Sequence, residues 1–441
     1  MGAGAFRIVP RTGTMTHTAT PPPAARLAAL DWLRTASVAA VVLHHAALVY
    51  AGANGIWAVG GGPTRPVVHA LDRALGLWRM PLLFLVAGAA MIVATRRLGV
   101  GAFLTLRAKR LLIPLAVGMP LLAAPQLYLE AYSHESPAAF AAHALSALLE
   151  GGPTWYHLWF IPYLFVVTLG AAALRPVLRS PAARTARDVG ARALCRPVRL
   201  LAAGAVAAAA IRALPARAAL ALDVVPGFRG ADVLYFALFF AAGALVASDD
   251  RILAAVVRDR RRALGAAVAC AAVVAALLAA EVLGRPLLPE VMAVAGRPLT
   301  CGPWVVQLLS GSGAWAGALA LLGYGGRYCT DGGPGLAYAC DAAFPVYLLH
   351  EPILLAATYA RPGSGGMTLA DVAVLLLVTV TASLAAHEYL IRRTALGRLA
   401  FGLPARVAAQ PMPSLPVGRW AARAAVGRPA AAARVARLAE R

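Results

Sequence analysis

LDWLRTASVAAVVLHHAALVY, residues Leu30 to Tyr50, decides how the rest of the chain is read. At about 20 residues the run is long enough to cross a bilayer as a helix. It nevertheless carries Arg34 near its start and the pair His44-His45 towards its middle. Ionisable groups at such depth are expensive, so they face a bundle interior or a wet cavity and mark function. At about 100° per residue, Arg34 and His45 lie about 20° apart around the axis, with His45 about 16 Å further along it. His44 points about 80° away from that face. A cation at the membrane edge and an imidazole below it, in one continuous groove, suit a ligand with an anionic head and a reactive end deeper in.

Composition widens this to the whole chain. Of 441 residues, 60% are hydrophobic and 14% charged, with a mean hydropathy of +0.71. These values exclude a soluble globular chain and indicate an all-α integral membrane protein. The net charge of +22 does not indicate nucleic acid, because the arginines lie between apolar runs rather than on one basic domain. Cytoplasmic loops obeying the positive-inside rule account for it. The five cysteines show no CxxC or Cys/His spacing, so neither a metal site nor a disulfide framework is expected.

A bundle of about ten transmembrane helices is expected, at roughly 32–51, 76–95, 110–129, 157–174, 199–214, 231–247, 264–284, 302–323, 338–358 and 369–391. The fifth is short and Ala-rich. Alternate connections are strongly basic: Arg96, Arg97, Arg107, Lys109 and Arg110 follow the second span, Arg175 to Arg199 the fourth, and Arg251 to Arg262 the sixth. The connection between the third and fourth spans holds Glu130, Glu135 and Glu150 but no Lys or Arg. This pattern places both termini in the cytoplasm. Residues 1–26 read as a disordered cytoplasmic tail, 27–402 as the membrane domain, and 403–441 as a basic Ala/Arg/Pro-rich cytoplasmic tail. Pro137 to Glu150 reads as a short interfacial helix on the outer side.

Several groups could do chemistry. His350, in AAFPVYLLHEPIL, sits at a depth similar to that of His45 and is followed by Glu351. Two imidazoles and a carboxylate at matched depth could handle protons, the carboxylate orienting a ring and stabilising its cation. A histidine that only braces helices is the competing reading of His350. LRAKRLLIP places Arg107, Lys109 and Arg110 where the third span meets the cytoplasm; guanidinium groups there suit phosphates, and an ordinary positive-inside anchor is the alternative. Arg79, at the outer end of the second span, could pair with an acidic substrate group. His157 and Trp159 open the fourth span and are, with Arg79, the candidates for binding the acceptor; Trp159 serves either an aromatic belt or stacking on a sugar.

The order of these segments resembles the membrane-bound acyltransferase-3 superfamily, whose members move acyl groups from acyl-CoA onto carbohydrate or other hydroxyls. The matching pieces are Arg34 and His45 (Arg, ten residues, His), RMPLLFLVAG, LRAKRLLIP, YHLWFIPYLF, YFALFFAAGALVA, YLLHEPI and EYLIRR, over about residues 27–402. Several look most like the branch of glucan succinyltransferase-like proteins. The resemblance implies that His45 is the essential histidine and that Arg34 helps hold the donor. It also implies that Arg107 and Arg110 bind CoA phosphates and that His350 is the late-motif histidine. Many members carry Trp-Ser-Leu where WFI stands here, which leaves the acceptor open. No appended esterase-like domain is expected.

The expectation is therefore an O-acyltransferase of the cell (inner or plasma) membrane with His45 as general base. Acyl-CoA is its donor substrate, the acceptor a carbohydrate or other hydroxylated molecule, and no cofactor is bound. Its partners are the lipid bilayer and its substrates, not nucleic acid. A transporter or flippase using the His45 and His350 stripe for a substrate or protons is the rival class.

Overall fold

The computed structural model describes residues 28–51, 65–128, 136, 138–141, 155–196, 198–214, 218, 221, 223, 227–284, 292–294, 297–299, 301–329, 331–361 and 367–404. The N-terminal tail, nearly all of the C-terminal one and most of the expected interfacial helix lie outside them. α1 spans Ala28–Ala51. A short α2, Pro66–Leu75, turns at Gly76 into α3, Arg79–Leu98. α4, Val100–Gly118, continues through a π turn, Met119–Ala123, to Leu127. A 3-10 turn, Tyr156–Trp159, leads into α5, Phe160–Leu178. Next come α6, Pro181–Leu194, α7, Arg199–Arg212, α8, Gly230–Ser248, and α9, Asp250–Val282. A small antiparallel pair, β1 Met292–Val294 and β2 Arg297–Leu299, precedes α10, Cys301–Tyr328. The described chain ends with α11, Pro334–Tyr359, α12, Leu369–Ala385, a π turn to Ile391, and α13, Ala395–Ala400.

Among the described residues, nine helical stretches are long and apolar enough to cross a membrane, and ten if the bent α6–α7 pair counts as one. The protein is an all-α polytopic membrane protein. α7 is the expected fifth span. Its 14 residues reach only about 21 Å, against a hydrocarbon core of about 30 Å. It is nevertheless tied into the bundle, since Trp315 of α10 donates from Nε1 to the Leu200 carbonyl at 3.3 Å. α9 starts well before the apolar run expected at 264. Asp249 caps it, accepting from the Arg251 N–H at 2.9 Å, and Arg and Ala are strong helix formers, so the basic segment continues the helix.

Close backbone approach sets the centre of the bundle. A Cβ on Gly88 of α3 would stand 1.9 Å from the Phe240 carbonyl oxygen, and one on Gly243 of α8 1.8 Å from that of Leu85. Only glycine lets the two backbones touch in this way, the usual basis of tight helix crossings in lipid. The crossing stacks Phe84 on Phe236, with ring centroids 4.4 Å apart. Phe236 in turn lines a cavity shared with the polar groups described next.

Candidate active site

α1 and α11 run parallel and in register. At one end, Arg34 Nη2 donates to the Cys340 carbonyl at 2.9 Å. Eleven residues along α1, His45 Nδ1 lies 3.0 Å from His350 Nε2 and 3.0 Å from Glu351 Oε2. His350 is fully buried and Glu351 nearly so. Gln126 of the extended α4 donates from Nε2 to Glu351 Oε1 at 2.6 Å. The preceding π turn contains Pro120, and such a turn shifts the register of the residues that follow it. His157 Nδ1 stands 3.6 Å from Glu351 Oε2.

Proline explains part of this arrangement. Pro352, inside α11, has no N–H, so the Leu348 carbonyl loses its helical partner. That carbonyl is taken instead by His157 Nε2 at 3.0 Å. A carbonyl only accepts, so the His157 proton is on Nε2, and Nδ1 faces the carboxylate. The same logic assigns His350. Its Nδ1 lies 2.7 Å from the Tyr347 carbonyl and so carries the proton, which leaves the lone pair on Nε2. His45 Nδ1 therefore faces two acceptors, the His350 lone pair and a Glu351 oxygen. It must be the donor, and the His45 lone pair is on Nε2. This is the tautomer a general base needs, with a carboxylate behind it.

Two cavities flank the cluster. One, of about 260 Å³, is lined by His44, His45, Arg79, His157, Trp159 and Tyr235 among others. The second, of about 290 Å³, is lined by Arg34, Arg107, Arg110 and an apolar wall that includes Val38, Leu83, Phe160 and Phe344. Arg34, Arg107 and Arg110 each keep a buried Nε without a hydrogen-bond partner. Among the described residues, no carboxylate lies within ion-pair distance of any of them. Three guanidinium groups share this partly apolar hollow with one carboxylate, Asp341, an excess of positive charge that favours an anion. A further hollow of about 390 Å³, lined by Asp341, Glu388, Arg392, Arg393 and Arg398, adjoins the second, since Asp341 lines both.

The structure thus brings His45, His350 and Glu351 into contact and adds His157, which sequence reasoning placed with the acceptor. Trp159 and Arg79 do line the His45 cavity. Arg79, however, is already paired, its Nη1 lying 3.1 Å from Asp72 Oδ1. Asp72 Oδ2 is in turn 2.6 Å from His44 Nδ1. The expected donor set is divided: Arg34, Arg107 and Arg110 share a cavity, whereas Lys109 is exposed and outside it. On a helix Lys109 points about 200° from Arg107, so the two cannot share a face. Nor do the described residues line one open groove from Arg34 to His45. Arg34 lines one cavity and His45 the other, and among the described residues Tyr347 alone lines both. Its ring comes from the facing helix, which a single-helix argument cannot register. Gln126, Asp72 and Tyr347 were missed. Gln126 carried a signal, as a lone amide inside the apolar run LIPLAVGMPLLAAPQLYL.

These features define a multi-pass membrane protein with a histidine–carboxylate cluster between a cationic cavity and an aromatic-lined one. The family model of the acyltransferase-3 group, described as an acyltransferase domain, matches residues 27–388. The chain therefore belongs to the acyltransferase-3 superfamily and is a membrane acyltransferase. No curated protein and no solved structure matches it.

Proposed function

We propose that the protein transfers an acyl group from acyl-CoA to a hydroxyl of a carbohydrate or other small acceptor, with His45 as general base. The observation that carries this reading is His45 Nδ1 lying 3.0 Å from both His350 Nε2 and Glu351 Oε2, which puts its proton on Nδ1 and leaves the lone pair on Nε2. The buried Nε groups of Arg34, Arg107 and Arg110, which have no hydrogen-bond partner, support a polyphosphate-bearing donor, because Arg–phosphate contacts would satisfy them. The apolar remainder of that cavity suits the pantetheine arm. Trp159, Tyr235 and Phe236 in the other cavity, with the polar His44, Arg79 and Ser310, suit a sugar, which offers both an apolar face and hydroxyls. The basic connections beside Arg107 and Arg110 support a cytoplasmic donor side, with both termini on that side of a cell membrane.

In the reaction, His45 Nε2 removes the acceptor hydroxyl's proton as that oxygen attacks the thioester carbon. The carbonyl pair moves onto its oxygen. Collapse re-forms the carbonyl and breaks the C–S bond, and the CoA thiolate takes the proton back from the imidazolium. Glu351 stabilises that cation, and Gln126 and His350 hold the pair in place. General base catalysis of this kind contributes about 100- to 10,000-fold.

The test is thiol release from acyl-CoA by the purified chain in nanodiscs with a panel of sugars, comparing wild type with His45→Gln. Turnover should fall at least 100-fold while the variant stays monodisperse and still binds CoA. Equal turnover would end the base assignment. Acceptor movement across vesicles without any thiol release would point to transport instead.

A further inference from the structure

The reaction leaves one charge without a partner: the oxyanion formed from the thioester carbonyl. Its place is constrained. The thioester arrives from the cavity of Arg34, Arg107 and Arg110, and the attacking hydroxyl from the cavity that His45 lines. The reacting carbon must therefore sit where the two cavities meet, and among the described residues that junction has one common wall, Tyr347.

Tyr347 is buried and braced by rings, with centroids 5.9 Å from Phe160 and 6.2 Å from Phe344. Its hydroxyl donates to the His157 carbonyl. The ring centroids of His45 and Tyr347 lie 4.9 and 6.0 Å from that of His350, hence within about 11 Å of each other. A path from base nitrogen through attacking oxygen, carbon and oxyanion to a hydroxyl donor spans about 8 Å, which falls inside that upper limit. A neutral carbonyl is a weaker acceptor than an oxyanion, since charge-assisted hydrogen bonds are about twice as strong. The phenol proton can swing between the two acceptors by rotation about the C–O bond alone, while the ring stays packed.

We infer that Tyr347 is a catalytic residue of the acyl transfer, its hydroxyl donating to the thioester carbonyl oxygen as that oxygen becomes an oxyanion at the junction of the two cavities. This rests on the acyl-CoA reading above. Donors aimed at a developing oxyanion contribute about 100- to 1,000-fold to turnover.

The experiment compares wild type with Tyr347→Phe, which keeps the ring and the division between the cavities but removes the O–H. The inference expects kcat to fall about 100-fold, with KM for acyl-CoA and binding of free CoA within threefold of wild type. It also expects a CoA analogue carrying a tetrahedral phosphonate in place of the thioester carbonyl to lose affinity by a similar factor. Bracing of His157, or division of the cavities alone, would leave the ratio of phosphonate to CoA affinity unchanged. Wild-type turnover by Tyr347→Phe, or an unchanged affinity ratio, overturns the assignment while the acyl-CoA reading stands. A wild-type protein without acyl-CoA turnover removes both.

Discussion

Replacing Glu351 with Gln keeps the volume and one acceptor but deletes the negative charge 3.0 Å from His45 Nδ1. With an effective dielectric constant of about 20, a full unit charge pair at that distance is worth about 5 kcal/mol. The ground state holds a neutral imidazole, so only the charge that develops as the proton arrives is sensitive to the loss. With the proton about half transferred in the transition state, the barrier rises by about 2–3 kcal/mol, or about 100-fold in kcat. The His45 tautomer should survive, because the His350 lone pair still accepts from Nδ1–H. KM for acyl-CoA should move little, since Glu351 lies outside the cavity of Arg34, Arg107 and Arg110. The assay is initial-rate thiol release in nanodiscs at saturating acceptor, with thermal unfolding recorded in parallel. A Glu351→Gln enzyme within threefold of wild-type kcat would refute the electrostatic account. A fall confined to KM would place Glu351 in substrate binding.

Other consequences follow from the same contacts. Arg107→Gln and Arg110→Gln should each raise KM for acyl-CoA about tenfold or more and leave turnover of an acyl-pantetheine lacking the nucleotide unchanged; Lys109→Gln should do neither, and an equal effect at Lys109 would indicate a diffuse charge field. Pro352→Ala restores an N–H that can bond the Leu348 carbonyl. It should free the His157 ring and lower kcat severalfold with little change in expression or melting temperature; unaltered kinetics would show that the His157 anchor is dispensable. Ligand atoms of His45, His350 and Glu351 lie within 4.8 Å of one another, close enough to enclose a metal ion. Hydrogen bonding accounts for the same contacts, so chelator-treated protein should hold no stoichiometric metal by elemental analysis and keep its full rate. Loss of activity restored by zinc would move the proton off His45 Nδ1 and overturn the general-base assignment.

Much of the site was legible because the membrane makes polar groups conspicuous. His45, His350 and Glu351 stood out as ionisable groups in apolar runs, and the helical period alone separated His44 from His45. The same period argues against Lys109 sharing the face of Arg107 and Arg110, a distinction that charge alone obscured. Asp72 was unreadable, since nothing along the chain marks α2 as a helix folded back to set its carboxylate between Arg79 and His44. The role of Pro352 was equally hidden: a missing N–H is visible in the sequence, but the imidazole that takes the abandoned carbonyl comes from another helix.

By itself, then, the sequence determined the solvent, the spans and the depth of each polar group. Those properties depend on hydropathy and on a helix rise of about 1.5 Å per residue, both of which are local. Tertiary structure alone decided which depths face one another. It set α1 parallel to α11, brought Gln126 and His157 to Glu351, and placed the Tyr347 ring where an open groove was expected. Those contacts depend on side chains from helices far apart in the chain, and on the close crossing of α3 and α8 that fixes their positions.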